Sequence, residues 1–257
     1  MRPVLVTGLG AFSPLGVDRQ TSFDAALNAR SAIGRAPESM CVGIPDLLAA
    51  QAAAEPEPLL ERRFAGLDRA TQFALLAVQE AMADAGIGEG VEDASRFGVF
   101  AGIGFGGAHT LDGLYARYFK ALHADERGRK AATVMHPLSV PRMMANAPMA
   151  AVSMRYGLRG MGNTYSVACA SSAFAAGEAL RAIQHGYLDA AVVLGTEAML
   201  TPGSMVAWNA LRVMARCDAA RPSASCRPFA ANRTGFVLGE GAARSEEHTS
   251  ELQSRVD

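Results

Sequence analysis

The chain has 257 residues, of which 50% are hydrophobic and 19% charged, and its 24 Lys and Arg against 25 Asp and Glu give a formal net charge of -1. That balance excludes intrinsic disorder, and with no Lys/Arg block the electrostatic footprint of a nucleic-acid binder is missing. The four cysteines, Cys41, Cys169, Cys217 and Cys226, form no CxxC pair and are too sparse for a disulfide scaffold. No stretch nears the roughly 18 apolar residues of a membrane span, and Met1-Arg2-Pro3 leads within a few residues to Gly8, too soon for a signal-peptide core. The expectation is a soluble cytoplasmic protein.

In chain order, residues 4–7 are a β-rich run that Gly8 and Gly10 open into a loop, which reads as a buried strand. Helices are predicted over 22–29 and over 68–85, the second with Asp68 as N-cap and Gly86 as its stop. Between them residues 31–58 carry Pro37, Pro45, Pro56 and Pro58 and read as a surface excursion. A strand at 97–101 and a helix at 111–121 follow, then a charged exposed turn at 124–130 and a helix over about 140–156 that Pro148 interrupts and Gly157 stops. The tightest pattern comes next: strand 164–167, a cysteine, a small-residue helix to His185 capped by Gly186, and strand 190–195. This is a βαβ unit, so the predicted fold class is α/β, a sheet with helices on both faces.

Gly102-Ile103-Gly104-Phe105-Gly106-Gly107 contains the G-x-G-x-x-G of a dinucleotide site. That motif needs a helix directly after it and an acid about 20 positions on, at a strand end. The acids at that distance, Asp125 and Glu126, fall in the charged turn, so these glycines are read as structural. Cys169 differs, because it sits between a strand and a helix. The N–H groups and dipole of a helix's first turn favour a thiolate there, and the same amides can hold an oxyanion. Ala170, Ala173, Ala175, Ala176 and Gly177 let the helix pack deep against the sheet, which puts the sulfur at the bottom of a cleft. Position alone leaves this reading level with that of a buried cysteine acting as a small hydrophobe. Cys41, Cys217 and Cys226 are read as structural, and His109, His123, His136, His185 and His248 as surface or helix-end residues.

Five segments together resemble the β-ketoacyl-acyl-carrier-protein synthase family of thiolase-fold condensing enzymes. They are Val6-Thr7-Gly8-Leu9-Gly10 with Ser13-Pro14-Leu15-Gly16; Asp68-Arg69-Ala70-Thr71-Gln72; Tyr156-Gly157-Leu158-Arg159-Gly160; the elbow Ala168-Cys169-Ala170-Ser171-Ser172; and Arg227-Pro228-Phe229 with Gly235-Phe236-Val237-Leu238-Gly239-Glu240-Gly241-Ala242. The resemblance implies a thiolase-like fold, αβαβα in a full-length parent, of which this chain is the first half with a mixed sheet covered by helices. It implies that Cys169 is the acyl-accepting nucleophile of a decarboxylating Claisen condensation, its backbone N–H part of the oxyanion hole. The implied partners are acyl carrier protein, acyl and malonyl thioesters and a second copy in a homodimer; the pathway is fatty acid, polyene or polyketide synthesis, and neither cofactor nor metal is implied.

In that family two histidines and a lysine of the second half drive decarboxylation, and their motifs are not in this chain. The chain alone is therefore expected to be inactive in condensation and to expose a broad apolar face. A chain-length-determining subunit, which usually lacks the nucleophile, and a coenzyme A-dependent thiolase are the alternatives; Cys169 and the Gly235 to Ala242 segment favour the synthase. Ala230 and Thr234 stand where many relatives carry Asp. Pocket residues are expected from 103–110 and 134–144. Residues 244–254 read as the translation of a common sequencing adapter, so the domain is expected to span 1–243 and 244–257 to be an artefact tail.

Overall fold

Two strands, β4 (Phe97–Gly102) and β6 (Ala190–Ala198), which carry no charged or polar side chain over their paired lengths, lie parallel at the centre of the computed structural model, in register from Phe97↔Ala190 to Gly102↔Gly195. The structure describes residues 3–41, 43–88, 91, 93–124 and 133–249, with backbone only at 246–249. β5 (Gly162–Tyr165) extends the sheet in parallel beyond β4, while β7 (Leu238–Thr249) runs antiparallel along the far side of β6. β1 (Val4–Phe12) pairs antiparallel with most of β7, and β3 (Leu48–Ala50), carrying β2 (Gly34–Arg35), pairs with the start of β7. The sheet is mixed, as expected.

Period-two alternation sends the side chains of β4 and β6 to two layers. Phe97, Val99, Ala101, Ala190, Val192 and Leu194 pack under α3 (Arg69–Asp84) and α6 (Ala147–Tyr156), with Val78, Met82 and Val152 completing that core. Phe100, Ala191 and Val193 face α7 (Ser171–Gln184) through Ala175, Ala179 and Ile183. The outer side of α7 is bare: Phe174 is 52% exposed, and Leu180, with Leu5, Val6 and Leu9 of β1, is also exposed. Among the described residues no helix is long and apolar enough to cross a membrane.

Several elements depart from the expected boundaries. β1 does not end at Gly8 but runs through both glycines to Phe12, because α3 lies directly on it: a Cβ at Gly8 would stand 2.1 Å from Ala81 O, and one at Gly10 2.1 Å from Ala77 O. These glycines serve close packing rather than a loop. α1 (Arg19–Leu27) starts three residues early because Asp18 caps it, accepting from Thr21 N at 2.7 Å. Pro148 does not interrupt a helix. It sits in the first turn of α6, where a missing N–H costs nothing, and 139–156 is two helices, α5 (Ser139–Met143) and α6. The excursion at 31–58 is more than surface: it holds β2, α2 (Glu38–Cys41) and β3, and Leu47, Leu48 and Ala49 are buried. α4 (Ala108–Ala124) is longer than predicted at both ends, and the predicted charged turn lies, after Ala124, outside the described residues. The backbone of His248 lies in the paired strand β7, not at a helix end, because β7 continues to Thr249.

Gly10→Ala should cost about 1–3 kcal/mol by overpacking, read as a lower chemical-denaturation midpoint. Gly34→Ala, which meets open space, should leave the midpoint nearly unchanged.

A candidate active site at Cys169

The cleft is built from two glycines. Gly102 and Gly195 are register partners at the ends of β4 and within β6. A Cβ at Gly102 would lie 2.4 Å from Ser172 N, and one at Gly195 2.2 Å from Ser172 Oγ, so the N-terminal end of α7 rests on bare strand backbone. The chain arrives there from β5 through a sharp bend, with Ala168 in the left-handed region at φ 52°. A non-glycine residue there carries strain of order 1–3 kcal/mol. The buried Ser171 hydroxyl holds the bend, accepting from Val167 N at 2.9 Å and donating to Ala168 O at 2.7 Å. Cys169 stands in a single 3₁₀ turn, Ala168–Ala170, two residues before α7 begins, and it is exposed. The bland reading, a buried small hydrophobe, is thus set aside by the geometry.

Cys169 opens on a cavity of about 650 Å³ whose lining is mainly apolar, with Phe12, Ile103, Phe105, Met199 and Trp208 among its walls. Of the segments expected to line the pocket, 103–110 contributes Ile103, Gly104 and Phe105. The other, 134–144, contributes nothing to this cavity; its Arg142 lines a separate one instead. Glu197 also lines the Cys169 cavity, and its Oε2 accepts from Gly104 N at 2.9 Å and Phe105 N at 2.8 Å. Those glycine-loop amides are the ones that would cradle a pyrophosphate in a dinucleotide site. Here the cradle already holds the protein's own carboxylate. Gly107 serves close approach, since a Cβ there would meet Met143 Cα at 2.5 Å, so the structural reading of the glycines stands.

Behind the cleft, carboxylates tie the loops together. Glu240 of β7, with its side chain 1% exposed, accepts from Arg69 Nε at 2.9 Å, Arg69 Nη2 at 2.7 Å and Ala52 N at 3.1 Å. Arg69 Nη1 donates to Glu55 at 2.6 Å. Burial works against the Arg69 charge, but Glu240 and Glu55 outweigh it and hold the guanidinium above its ordinary value. The buried Asp68 caps α3 at Ala70 N and also accepts from Thr110 N and Oγ1, both at 2.8 Å, in α4. His109 lies beside this cluster with Nε2 3.9 Å from Glu240. It lines a separate polar cavity of about 310 Å³ with Arg117 and Arg142.

The remaining sequence candidates lie elsewhere. Cys41 donates to Ala36 O and Pro37 O, Cys217 to Asp218 O, and Cys226 is half-buried. His185 ends α7 as expected, His123 is in the last turn of α4, and His136 accepts from Leu138 N. No histidine lines the Cys169 cavity among the described residues. At one of the two departures from the family pattern, Thr234 Oγ1 accepts from Arg216 N at 3.0 Å.

A sequence profile described as "Beta-ketoacyl synthase, N-terminal domain" matches residues 1–244. The chain belongs to the β-ketoacyl synthase family. Among curated relatives, the chain is 35% identical over 242 residues to Nodulation protein E of Rhizobium sp. (strain N33), covering 94% of this chain and 56% of that protein. It is 31% identical over 241 residues to 3-oxoacyl-[acyl-carrier-protein] synthase 2 of Staphylococcus aureus (strain COL), with coverages of 93% and 56%. The chain therefore spans little more than half the length of these relatives. Among solved structures, a β-ketoacyl synthase from Burkholderia phymatum STM815 superposes with a TM-score of 0.82 at 29% identity over 100% of this chain and 61% of that one. The ishigamide ketosynthase/chain length factor superposes with a TM-score of 0.83 at 21% identity, over 99% and 60%, a likeness of fold.

The His109 environment makes a pH prediction. Burial lowers its pKa from 6.5 most strongly, aided by Arg69 and opposed by Glu240, Asp68 and Asp112. The folded chain thus keeps His109 neutral where the unfolded chain protonates it, so stability falls as pH drops below about 6.5. His109→Gln should lose less stability than the wild type between pH 7 and about 5, as measured by urea denaturation across that range.

Proposed function

We propose that this chain is the N-terminal half of a cytoplasmic β-ketoacyl-acyl-carrier-protein synthase, with Cys169 as the acyl acceptor. The observation that carries the reading is an exposed thiol on a strained elbow, opening on an apolar cavity of about 650 Å³. The Cys169 thiolate attacks the thioester carbonyl of an acyl carrier protein, its backbone N–H holding the developing oxyanion; the carrier leaves as its thiolate, which takes a proton from water, and an acyl-Cys169 thioester remains. Malonyl-carrier protein then loses carbon dioxide, and the resulting enolate carbon attacks that thioester. A carbon–carbon bond forms, the Cys169 thiolate is released and β-ketoacyl-carrier protein departs. Decarboxylation belongs to the two histidines and lysine of the family's second half, outside the matched domain, so the 257 residues alone do not condense. One structure of similar fold, at 19% identity, was solved as an acyl-carrier protein in complex with its ketosynthase.

The proposal includes a homodimer. β5 pairs only with β4 among the described residues, and Met161, Val167 and Phe174 beside it are exposed. A second copy joined along this edge would satisfy its backbone and cover those side chains. It also treats residues 244–257 as foreign to the enzyme. The family match ends at residue 244, and Arg244 puts a guanidinium, 4% exposed, into the layer between α3 and the central strands, donating to Val78 O. Sequencing the gene across codon 244 tests this; an apolar β-rich continuation is expected, and the same polar tail followed by a stop would overturn it.

Incubated with a short-chain acyl thioester, the chain should gain one acyl group on Cys169 by intact and peptide mass, Cys169→Ser should lose it, and no β-ketoacyl product should form with a malonyl thioester. Acylation at another cysteine, or none, would contradict the acyl-acceptor role; product formation would contradict the assignment of condensation to the second half. Sedimentation of the same sample at twice the monomer mass supports the dimer.

A further inference from the structure

Phe105 is a cavity wall on a loop that has almost nothing of its own to hold it. Gly102, Gly104, Gly106 and Gly107 supply no side chains, Ile103 is buried beneath the sheet end, and Phe105 itself is 53% exposed. The ends of the loop are held by Ile103 N donating to Tyr165 O at 3.1 Å and by the close approach of Gly107 to Met143, and two side chains from outside hold its middle. Ser166 Oγ donates to Gly104 O at 3.0 Å, and Glu197 Oε2 accepts both Gly104 N and Phe105 N. A Cβ at residue 104 would stand 3.0 Å from that same Glu197 oxygen, so the carboxylate and the loop backbone are in direct contact. This one oxygen takes both N–H groups. Without it a glycine-rich segment is free to sample many conformations.

We propose that Glu197 is a positioning residue which, through the amides of Gly104 and Phe105, fixes the Phe105 ring as a wall of the Cys169 cavity and so limits the bulk of the group that reaches the sulfur. That this group is an acyl chain rests on the function proposed above; the wall does not. Because the carboxylate oxygen acts here as an acceptor, a neutral amide oxygen at the same place can replace it.

The test measures Cys169 alkylation by N-methyl- and N-octylmaleimide on the whole chain, with the modified peptide quantified by mass so that Cys41, Cys217 and Cys226 are counted separately. In this reaction the thiolate sulfur bonds to one alkene carbon and the neighbouring carbon takes a proton; no thioester chemistry is involved, so failure of acyl transfer leaves it readable. The wild type should favour the smaller reagent. Glu197→Ala should shift the rate ratio about tenfold towards the larger one, the scale of discrimination that a shaped apolar pocket gives. Glu197→Gln should stay within about twofold of the wild type, since one amide oxygen can accept both N–H groups. Phe105→Ala, which leaves Glu197 intact, should reproduce the Glu197→Ala shift. The proposal is overturned by an unselective wild type, by a Glu197→Ala ratio equal to the wild type's, by equal loss in Glu197→Gln, or by a Phe105→Ala ratio that does not move. If Glu197→Ala does not fold, the Glu197→Gln and Phe105→Ala ratios decide it.

Discussion

The contact of the α7 N-terminal end with bare backbone at Gly102 and Gly195 is the constraint on which the site depends. Each glycine leaves room for Ser172 that a single methyl group would fill. Because the two are register partners on adjacent parallel strands, they form one flat seat, and the helix comes down far enough for Ser171 to lock the bend before it. The bend then has to pass through Ala168 at positive φ, and Cys169 emerges on the cavity side. The strain at Ala168 is offset by packing below it, where Ala175, Ala179 and Ile183 bury against β4 and β6. Chemistry at the thiol is in this sense a consequence of two missing side chains.

A second theme is the use of carboxylates as internal anions. Asp68 joins the first turns of α3 and α4, Glu240 joins β7 to Arg69 and to the strand-end backbone at Ala52, and Glu197 joins β6 to the glycine loop. Asp68 and Glu240 satisfy backbone or guanidinium donors that packing has largely removed from water, where an unpaired donor costs about 1–3 kcal/mol, whereas Glu197 holds amides on an exposed loop. The three lie around one end of the sheet, where loops of irregular backbone have no ladder partners. What looks in the sequence like an anion-binding fingerprint is an anion site whose occupant is covalently part of the chain.

Much of this was legible in the sequence because hydrophobic period and punctuation agree. The βαβ unit from β5 to β6 was readable from β-rich runs, a small-residue helix and Gly186, and the Cys169 elbow followed from its place between strand and helix. The errors share a cause, which is that glycine and proline have two meanings. Gly8 and Gly10 look like a strand's end but mark where α3 touches it, and Pro148 looks like a break but opens a helix. Glu197 was not found: nothing local distinguishes a glutamate two residues past Gly195 from a surface one, and its partners lie over 90 residues away in sequence. Trp208 and Met199 were missed for the same reason, as cavity walls assembled by tertiary contact. The run to Thr249 in β7 was unreadable because its composition is polar, and only pairing with β1 and β6 makes it a strand.

The measurement that bears most directly on this account is the rate of Cys169 alkylation by iodoacetamide in Gly195→Ala against the wild type, with Cys41, Cys217 and Cys226 as internal references. If the glycine seat positions the thiol, lifting α7 by one methyl group should change the Cys169 rate by about tenfold or more while the three reference cysteines hold theirs, since displacements near 1 Å carry effects of that size. A folded Gly195→Ala protein whose Cys169 reacts at the wild-type rate would contradict it.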